Sequence, residues 1–117
     1  MREKSKALGY LGLAAKAGKC RSGEFQTENA IKRHHAKAVL IAADASENTK
    51  KSFCDMCEHS GVPVFVLLNR EVLGHALGKE FRASCAITDE GLAAAFIRAL
   101  EEEREHKEIV DDENQGS

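Results

Sequence analysis

Two cysteines and a histidine are the residues whose types and spacing could bind a metal or support thiol chemistry. Cys54 and Cys57 have the two-residue spacing of metal ligands, and His59 follows closely. Helical periodicity places the pair inside a helix, and no second pair at matching spacing completes four ligands. Redox chemistry would require a helix N-terminus, where the helix dipole lowers the pKa of a thiol. We therefore predict no metal site, with Cys57 in the core.

Histidine pairs could also act as acids, bases or activators of a nucleophile. The pairs are His34 with His35 and His75 with Cys85, but the sequence places no third residue to orient either pair. The glycine-containing stretches lack the spacing of a phosphate-binding P-loop and the Ser or Thr that holds magnesium there. The sequence therefore predicts a protein without catalytic activity and without a cofactor.

Positively charged side chains gather instead around one turn and the helix that follows it. Gly23 allows a tight turn into this helix, and the free N–H groups of a helix N-terminus can bind phosphate. The surrounding cations are Lys16, Lys19, Arg21, Lys32, Arg33 and Lys37. An RNA backbone fits such a surface, and an ordinary charged face is the alternative.

The net charge of −2 conceals a division along the chain. Residues 1–51 hold 11 Lys and Arg against 5 Asp and Glu, whereas residues 52–117 hold 6 against 14. Eight of these acids lie in residues 101–113, so an acidic segment masks a basic domain. A moderate basic excess is also common in proteins that bind no nucleic acid, so charge alone does not decide the function.

Length and composition fit one folded domain, because 117 residues with 43% apolar residues can bury a core. We divide the chain into a single α/β domain of residues 1–104 and an acidic disordered tail of residues 105–117. There is no run of about 18 apolar residues for a membrane helix. The N-terminus lacks the apolar block of a signal peptide. We therefore predict a cytoplasmic protein with free thiols and no membrane contact.

Alternating helical and strand-like segments predict an α/β fold. Helices are expected at about residues 3–16, 24–34, 47–59, 70–77 and 91–105, and strands at 19–22, 38–43, 62–68 and 83–88. The continuous apolar run at residues 38–43 is typical of a central strand covered on both faces. Together the elements predict a three-layer α-β-α sandwich with a mixed, roughly four-stranded sheet.

The helix after Gly23 is predicted to have two distinct faces at 100° per residue. One stripe is mostly apolar and should pack against the core: Thr27, Ala30, Ile31 and His34. The other stripe should face solvent or a ligand: Phe25, Asn29, Lys32 and Arg33.

Several motifs spread between Leu8 and Leu100 carry a resemblance to a known family. They are Ala17-Gly-Lys followed by Ser22-Gly23, Gln26-Thr27, the segment Ala36 to Asp44, Gly61-Val-Pro-Val, and Leu73 to Gly78 leading to Arg82 to Ile87. Together they resemble the kink-turn RNA-binding ribosomal proteins of the L7Ae and L30e type, particularly the bacterial YlxQ-like branch.

The resemblance implies a mixed sheet between helices and a protein that binds RNA without catalysing a reaction. Such proteins recognise the sheared G·A pairs and sharp bend of a kink-turn, mostly by shape. RNA would contact the turn and helix start at residues 23–29, the strand end near Asp44, and the loop at residues 78–84. Structured RNA, ribosomal or other, is the implied partner, with ribosomal proteins as further candidates, and we expect a monomer.

The predicted RNA-binding residues combine the cations with this turn, strand end and loop. Phosphates would be held by Lys19, Arg21, Lys32, Lys37 and Arg82. Bases would meet Glu24, Phe25, Gln26 and Asn29. The set is completed by Gly23, Arg33, Asp44, Ala83 and Ser84.

Two residues depart from the family's kink-turn signature, although Gly23 and Gln26 match it. Phe25 stands where a polar or basic side chain is usual, and Asn29 stands where a lysine is usual. Phe25 could stack on an unpaired base, worth about 1–3 kcal/mol, or it could anchor a protein partner. The alternative function is therefore a protein-interaction module on the same fold that has lost specific RNA binding.

Overall fold

Helices and strands alternate along the chain in a computed structural model that describes the backbone of residues 5–116 and the side chains of residues 5–105. The helices are α1 (Lys6–Lys16), α2 (Glu24–Lys32), α3 (Glu47–Ser60), α4 (Arg70–Ala76) and α5 (Glu90–Gly116). The strands are β1 (Cys20–Ser22), β2 (Ala38–Ile41), β3 (Val64–Val66) and β4 (Ser84–Ile87). Each element lies within or close to a segment that the sequence assigned to it.

The four strands form one mixed sheet in the order β1-β4-β2-β3. β2 and β3 are parallel, and β4 runs antiparallel to both β1 and β2. Helices α2 and α3 pack on one face of the sheet, and α1, α4 and α5 pack on the other. This arrangement confirms the predicted three-layer sandwich.

The apolar run predicted to be central is β2, which lies between β4 and β3. Successive side chains of a strand point to opposite faces. Val39 and Ile41 therefore join the core under α2 and α3, whereas Leu40 joins the core under α1 and α5. All three side chains are fully buried, which explains why the run shows no polar alternation.

Strand direction brings three helix N-termini to one edge of the sheet. β1, β2 and β3 run the same way, and each is followed by a short connection and then by α2, α3 and α4 respectively. β4 runs the opposite way, so the loop before it lies at the same edge. We call this edge, formed by residues 22–24, 42–47, 67–70 and 81–84, the carboxyl edge.

The prediction that residues 62–68 form a second buried strand was wrong in part. β3 covers only Val64–Val66, and its side chains are half-buried or exposed. It is the outer strand of the sheet, so a neighbour pairs with it on one side only. Pro63 precedes it and has no N–H to donate, which suits an edge position.

The last helix is longer than predicted. The predicted helix ends near Glu105 and is followed by disorder, whereas α5 has a helical backbone through Gly116. Glu, Lys and Arg are good helix formers, so a charged segment can continue a helix that is already nucleated. The division into a domain of residues 1–104 and an acidic tail stays a prediction. No helix in the described part of the chain combines the length and apolar character needed to cross a membrane.

The loop before β4 is held against α4 by a close backbone approach at Gly74. A Cβ atom built on Gly74 would lie 2.6 Å from the carbonyl oxygen of Glu80 and 2.8 Å from the amide nitrogen of Phe81. Real Cβ atoms essentially never approach so closely, so only glycine fits without movement of the loop. The loop carries Arg82 to the carboxyl edge.

Candidate nucleic-acid interface

The N-terminus of α2 has no side-chain cap. Its N-cap residue is Gly23, with φ +95° and ψ +160°, a conformation that L side chains rarely adopt. In the described residues each of the other four helices begins with a side-chain oxygen that accepts a backbone N–H bond. These acceptors belong to Ser5, Ser46, Asn69 and Asp89. The first N–H groups of α2 therefore remain without a side-chain acceptor at the carboxyl edge, where an anion can accept from them.

Two buried hydroxyls fix the position of this turn. Ser84 Oγ donates to Thr27 Oγ1 over 3.1 Å, and both residues are 0% exposed. The backbone N–H of Gly23 donates to the carbonyl oxygen of Ser84 over 3.0 Å. The side chain of Ser84 is therefore enclosed between α2 and the sheet, and its contact with RNA stays a prediction. Ser84 begins β4 and holds α2 in place.

Arg82 connects three parts of the carboxyl edge. Its Nε donates to Ser22 Oγ over 3.0 Å, and its backbone N–H donates to the carbonyl oxygen of Arg70 over 3.1 Å. One terminal nitrogen also donates to the carbonyl oxygen of Phe81 over 2.7 Å. A guanidinium has five N–H donors, so these bonds orient the group and leave donors for a phosphate. Ala83, next in the chain, is half-buried.

Asp44 lies at the carboxyl edge, but its carboxylate is partly used within the protein. Oδ1 accepts from the backbone N–H of Arg70 over 2.9 Å, and Oδ2 lies 3.6 Å from Arg70 Nε. Asp44 therefore caps α4 together with Asn69. Arg70 was not among the predicted residues, because its partner lies 26 residues away and no local pattern links them. An arginine directly after a capping asparagine was the available signal.

The residues of α2 that helical periodicity predicted to be exposed are exposed in the structure. Phe25 is 76% exposed, and Asn29, Lys32 and Arg33 are also exposed, as is Glu24. Thr27, Ala30 and Ile31 are buried, as predicted. Lys32 Nζ lies 2.7 Å from Glu28 Oε2, so part of its charge is compensated on the helix itself. Its role in holding phosphate stays a prediction.

Four other predicted residues surround a cavity of about 290 Å³ beside α2, which we call the α2 pocket. Its lining comprises Arg21, Gln26, Asn29, Ala30, His34, His35, Lys37 and Thr88. The backbone N–H of Lys37 donates to the carbonyl oxygen of Ile87, and that of Thr88 donates to the carbonyl oxygen of Lys19. Lys19, whose side chain is exposed, therefore lies at the same end of the sheet as Lys37 and Thr88. Some predicted residues therefore lie at the carboxyl edge and others line this pocket, whereas Lys19, Lys32 and Arg33 belong to neither set.

His34 does not belong to the packed stripe, contrary to the prediction. α2 ends at Lys32, and His34 is exposed with φ +64°. Its N–H donates to the carbonyl oxygen of Ile31 and that of His35 donates to Ala30, the bond pattern of a Schellman motif. The position usually holds glycine, and a left-handed conformation costs other residues about 1–2 kcal/mol. This stop follows from backbone bonding that side-chain periodicity does not show.

Burial makes thiolate formation unfavourable at three of the four cysteines. Burial raises the pKa of Cys57 to about 11, and the neighbouring thiol of Cys54 adds to the shift. Burial also raises the pKa of Cys20 to about 11, against a lowering by Arg21. Burial raises the pKa of Cys85 further. The thiolate is the nucleophile and metal ligand, so these shifts oppose both roles. Across the described residues no group of three His, Cys, Asp or Glu side chains could hold a metal ion.

Solved structures show the same fold. A protein of unknown function from Bacillus halodurans C superimposes with a TM-score of 0.80 at 34% identity, covering 84% of this chain and 99% of its own. A 15.5 kD RNA binding protein from Giardia lamblia superimposes with a TM-score of 0.71 at 20% identity, covering 87% and 89%. The second likeness concerns the fold alone.

Sequence relatives and a family profile give the same assignment. The chain is 43% identical over 91 residues to RNA-binding protein YlxQ of Bacillus subtilis (strain 168), covering 78% of this chain and 91% of the relative. It is 40% identical over 98 residues to RNA-binding protein YlxQ of Enterococcus faecium, covering 84% and 94%. The profile of the ribosomal protein L7Ae/L30e/S12e/Gadd45 family matches residues 5–97. The chain therefore belongs to the ribosomal protein L7Ae/L30e/S12e/Gadd45 family.

Proposed function

We propose that this protein is a non-catalytic RNA-binding protein that recognises structured RNA with a kink-turn-like bend. The observation that carries the proposal is the uncapped N-terminus of α2 at Gly23, set beside the guanidinium of Arg82 at the carboxyl edge. The two YlxQ relatives, at 43% and 40% identity, are named RNA-binding proteins, which supports the same function.

Phosphates are the groups that the carboxyl edge fits first. The N–H groups of α2 carry the positive end of the helix dipole, and an anion there gains both hydrogen bonds and charge attraction. Arg82 adds a guanidinium whose orientation is set by its bonds to Ser22 and Phe81. α4 contributes no comparable donors, because Asn69 and Asp44 already accept its first N–H groups. The phosphate would therefore sit nearer α2 than α4.

Unpaired bases are the groups that the exposed aromatic side chains fit. Phe25 is 76% exposed in the first turn of α2, and Phe81 is 61% exposed one residue before Arg82. Both residues lie near the same sheet edge, because the turn before Phe25 and the loop after Phe81 are joined by the hydrogen bond from Gly23 to Ser84. Single-stranded loops and bulges are the parts of RNA whose bases can stack on such rings. A bend with an extruded nucleotide offers both kinds of group.

Phe25 and Asn29 differ from the family signature, so we expect this protein to contact RNA bases differently from other members. A neutral, short amide replaces the usual lysine at Asn29, so one charged contact is lost, while Phe25 offers a ring in place of a polar group. We propose that stacking takes over part of the affinity that charge gives in other members. The RNA would be ribosomal or a similarly folded RNA, bound by one copy of the protein in the cytoplasm.

A binding titration tests this proposal directly. The full chain is titrated with a kink-turn RNA and with a plain duplex of the same length, each over a series of salt concentrations. We expect tighter binding to the kink-turn at every salt concentration. Equal, weak binding to both RNAs would overturn shape-specific recognition.

Reversal of the two departures sharpens the same experiment. The double variant Phe25→Asn with Asn29→Lys should bind the kink-turn more tightly and steepen its salt dependence, because a lysine adds a phosphate contact. Lys51→Ala on α3 is the control, since this exposed lysine pairs with Asp55 and belongs neither to the carboxyl edge nor to the α2 pocket. Unchanged kink-turn affinity in the double variant would remove the signature argument.

Removal of the acidic C-terminal segment tests whether its carboxylates lower the affinity for RNA. Removing residues after Glu105 keeps Glu103, whose carboxylate accepts bonds from Ser5 Oγ and the N–H of Ala7. The truncated chain should therefore fold, and it should bind RNA more tightly if the acids compete with phosphate. Equal affinity in both chains would exclude such competition.

One observation favours a second function, a protein-interaction module. Phe25 and Phe81 are the two most exposed large apolar side chains of the described residues, and exposed aromatic residues anchor protein partners. A pull-down that captures the same partner before and after ribonuclease treatment, and loses it with Phe25→Ala, would support this function. Capture that depends on intact RNA would support the first.

A further inference from the structure

We propose that the α2 pocket is a phosphate-binding site, separate from the uncapped N-terminus of α2. The pocket lies at the side of α2, between that helix and the outer strand β1, and several of its lining side chains are exposed. No carboxylate is among the residues that line it. Because no lining carboxylate neutralises the cations of the pocket, the cavity attracts an anion.

Arg21 and Lys37 are the positively charged side chains, besides the two imidazoles, that line the pocket. One terminal nitrogen of Arg21 donates to the carbonyl oxygens of Gly18 and Cys20, at 3.2 and 2.9 Å, which holds the guanidinium beside the strand. The backbone of Lys37 is held by its 2.7 Å bond to the carbonyl oxygen of Ile87. Arginine recognises phosphate through paired N–H groups, and lysine does so as a point charge.

His34 supports a ligand role for the pocket. It adopts a left-handed conformation at a helix end where glycine is usual, and its side chain lines the cavity. Strained residues of this kind cluster at active sites and ligand clamps, where the surrounding structure holds them in place. His35, next in the chain, lines the same cavity and adds a second imidazole that can donate an N–H bond.

Neutral donors complete the lining. Gln26 and Asn29 carry amide groups, and Thr88 carries a hydroxyl, all of which can donate to phosphate oxygens. The volume of about 290 Å³ lies just below the roughly 300–1,000 Å³ of pockets for drug-sized ligands. The cavity therefore has room for a phosphate group together with the group to which it is attached.

The phosphate could come from two sources with the same chemistry. One is the backbone of an RNA that also contacts the carboxyl edge, since Gln26 and Asn29 lie on α2 beside Phe25; this source rests on the proposed function. The other is a small phosphorylated molecule, such as a nucleoside monophosphate, which requires no RNA binding at all.

Nuclear magnetic resonance titration with inorganic phosphate tests the site itself. The full chain is titrated at constant ionic strength against a chloride control, and then with adenosine monophosphate. We expect saturable amide shifts confined to the pocket, at residues 21, 26, 29–37 and 88, with no comparable shifts around Lys51. Shifts spread over all exposed lysines, or none specific to phosphate, would overturn the proposal.

Two variants separate binding from folding. Lys37→Ala should weaken phosphate binding by about tenfold, as expected for a lost charged hydrogen bond. His34→Gly should also weaken it, while its melting temperature stays equal or rises, because glycine suits φ +64°. Lys51→Ala should bind phosphate like the original chain. Full phosphate affinity in both pocket variants would overturn the site.

A final comparison with RNA distinguishes the two sources. If RNA supplies the phosphate, Lys37→Ala should lower the slope of log affinity against log salt by about one. If the slope is unchanged while phosphate and adenosine monophosphate still bind, the pocket serves a small ligand. Saturable phosphate binding in a chain that binds no structured RNA would reject the proposed function and leave the pocket standing.

Discussion

Two helix N-termini at the carboxyl edge differ in what accepts hydrogen bonds from their first backbone N–H groups. α4 begins with two acceptors from the protein, because Asn69 Oδ1 accepts from Val72 and Asp44 Oδ1 accepts from Arg70. α2 begins at Gly23, which offers no side chain at all. α4 is thus complete within the protein, whereas α2 leaves its first donors to water or a ligand.

The difference separates stability from function along one edge of the molecule. A cap contributes typically about 1 kcal/mol to stability, and α2 forgoes that contribution. The start of α2 is anchored instead by its buried Thr27, whose hydroxyl bonds to Ser84 of β4. The helix start therefore stays fixed, while its first backbone N–H groups remain available to a ligand. Substitutions at α2 should therefore change RNA binding, and substitutions at α4 should change mainly the free energy of unfolding.

The largest effect is expected from Gly23→Ala. The added methyl group would meet no atom within 4 Å, so the cost comes from the backbone conformation at φ +95°, about 1–3 kcal/mol of unfolding free energy. The turn should relax and displace the start of α2, which abolishes kink-turn binding. Chemical denaturation and RNA titration measure the two effects, and retained affinity would contradict the role of the turn.

Phe25→Ala should come next, with an effect on RNA alone. Loss of one stacked base costs about 1–3 kcal/mol of binding free energy, while the melting temperature should hardly change because the ring is 76% exposed. Val72→Ala, which shortens an exposed apolar side chain in the first turn of α4, is the matched control. Equal losses in both variants would break the contrast between the two helices.

Asn69→Ala should give the reverse pattern. Removing the cap of α4 should lower the free energy of unfolding by about 0.5–2 kcal/mol. RNA affinity should stay within about twofold, less than the effect of one neutral hydrogen bond. Differential scanning calorimetry and the same RNA titration test both statements. A large drop in affinity at preserved stability would show that α4 also takes part in binding.

The smallest effect is expected from Lys32→Ala. Its ion pair with Glu28 is exposed, so it stabilises the helix by only about 0.2–0.5 kcal/mol. Because Glu28 already compensates part of the charge, the salt dependence of RNA binding should fall by less than one unit of slope. A full unit, measured against Lys51→Ala, would place Lys32 in direct contact with a phosphate.

Periodicity predicted the sandwich and the faces of α2, because a central strand and an amphipathic helix leave strong local patterns. The buried run of β2 and the buried positions Thr27, Ala30 and Ile31 follow from such patterns. β3 was mistaken for a buried strand, since apolar composition does not tell an edge strand from a central one.

The division of the site was not accessible from sequence. Ser84 is enclosed because it begins β4 and its hydroxyl bonds to Thr27 of α2, and His34 is exposed because backbone bonds end α2 at Lys32. The exposure of His34 depends on local backbone bonds that side-chain periodicity does not show, whereas the burial of Ser84 depends on a contact between residues 57 positions apart. The pairing of Asp44 with Arg70 across 26 residues has the same origin.

The buried hydroxyl pair of Thr27 and Ser84 also bears on how quickly a ligand can be captured. Together with the bond from Gly23 to Ser84, it joins the start of α2 and the start of β4 into one rigid unit. A surface that is ordered before encounter loses little conformational entropy on association. The protein side should impose no slow folding step, so differences in affinity among RNA targets should arise mainly from their dissociation rates.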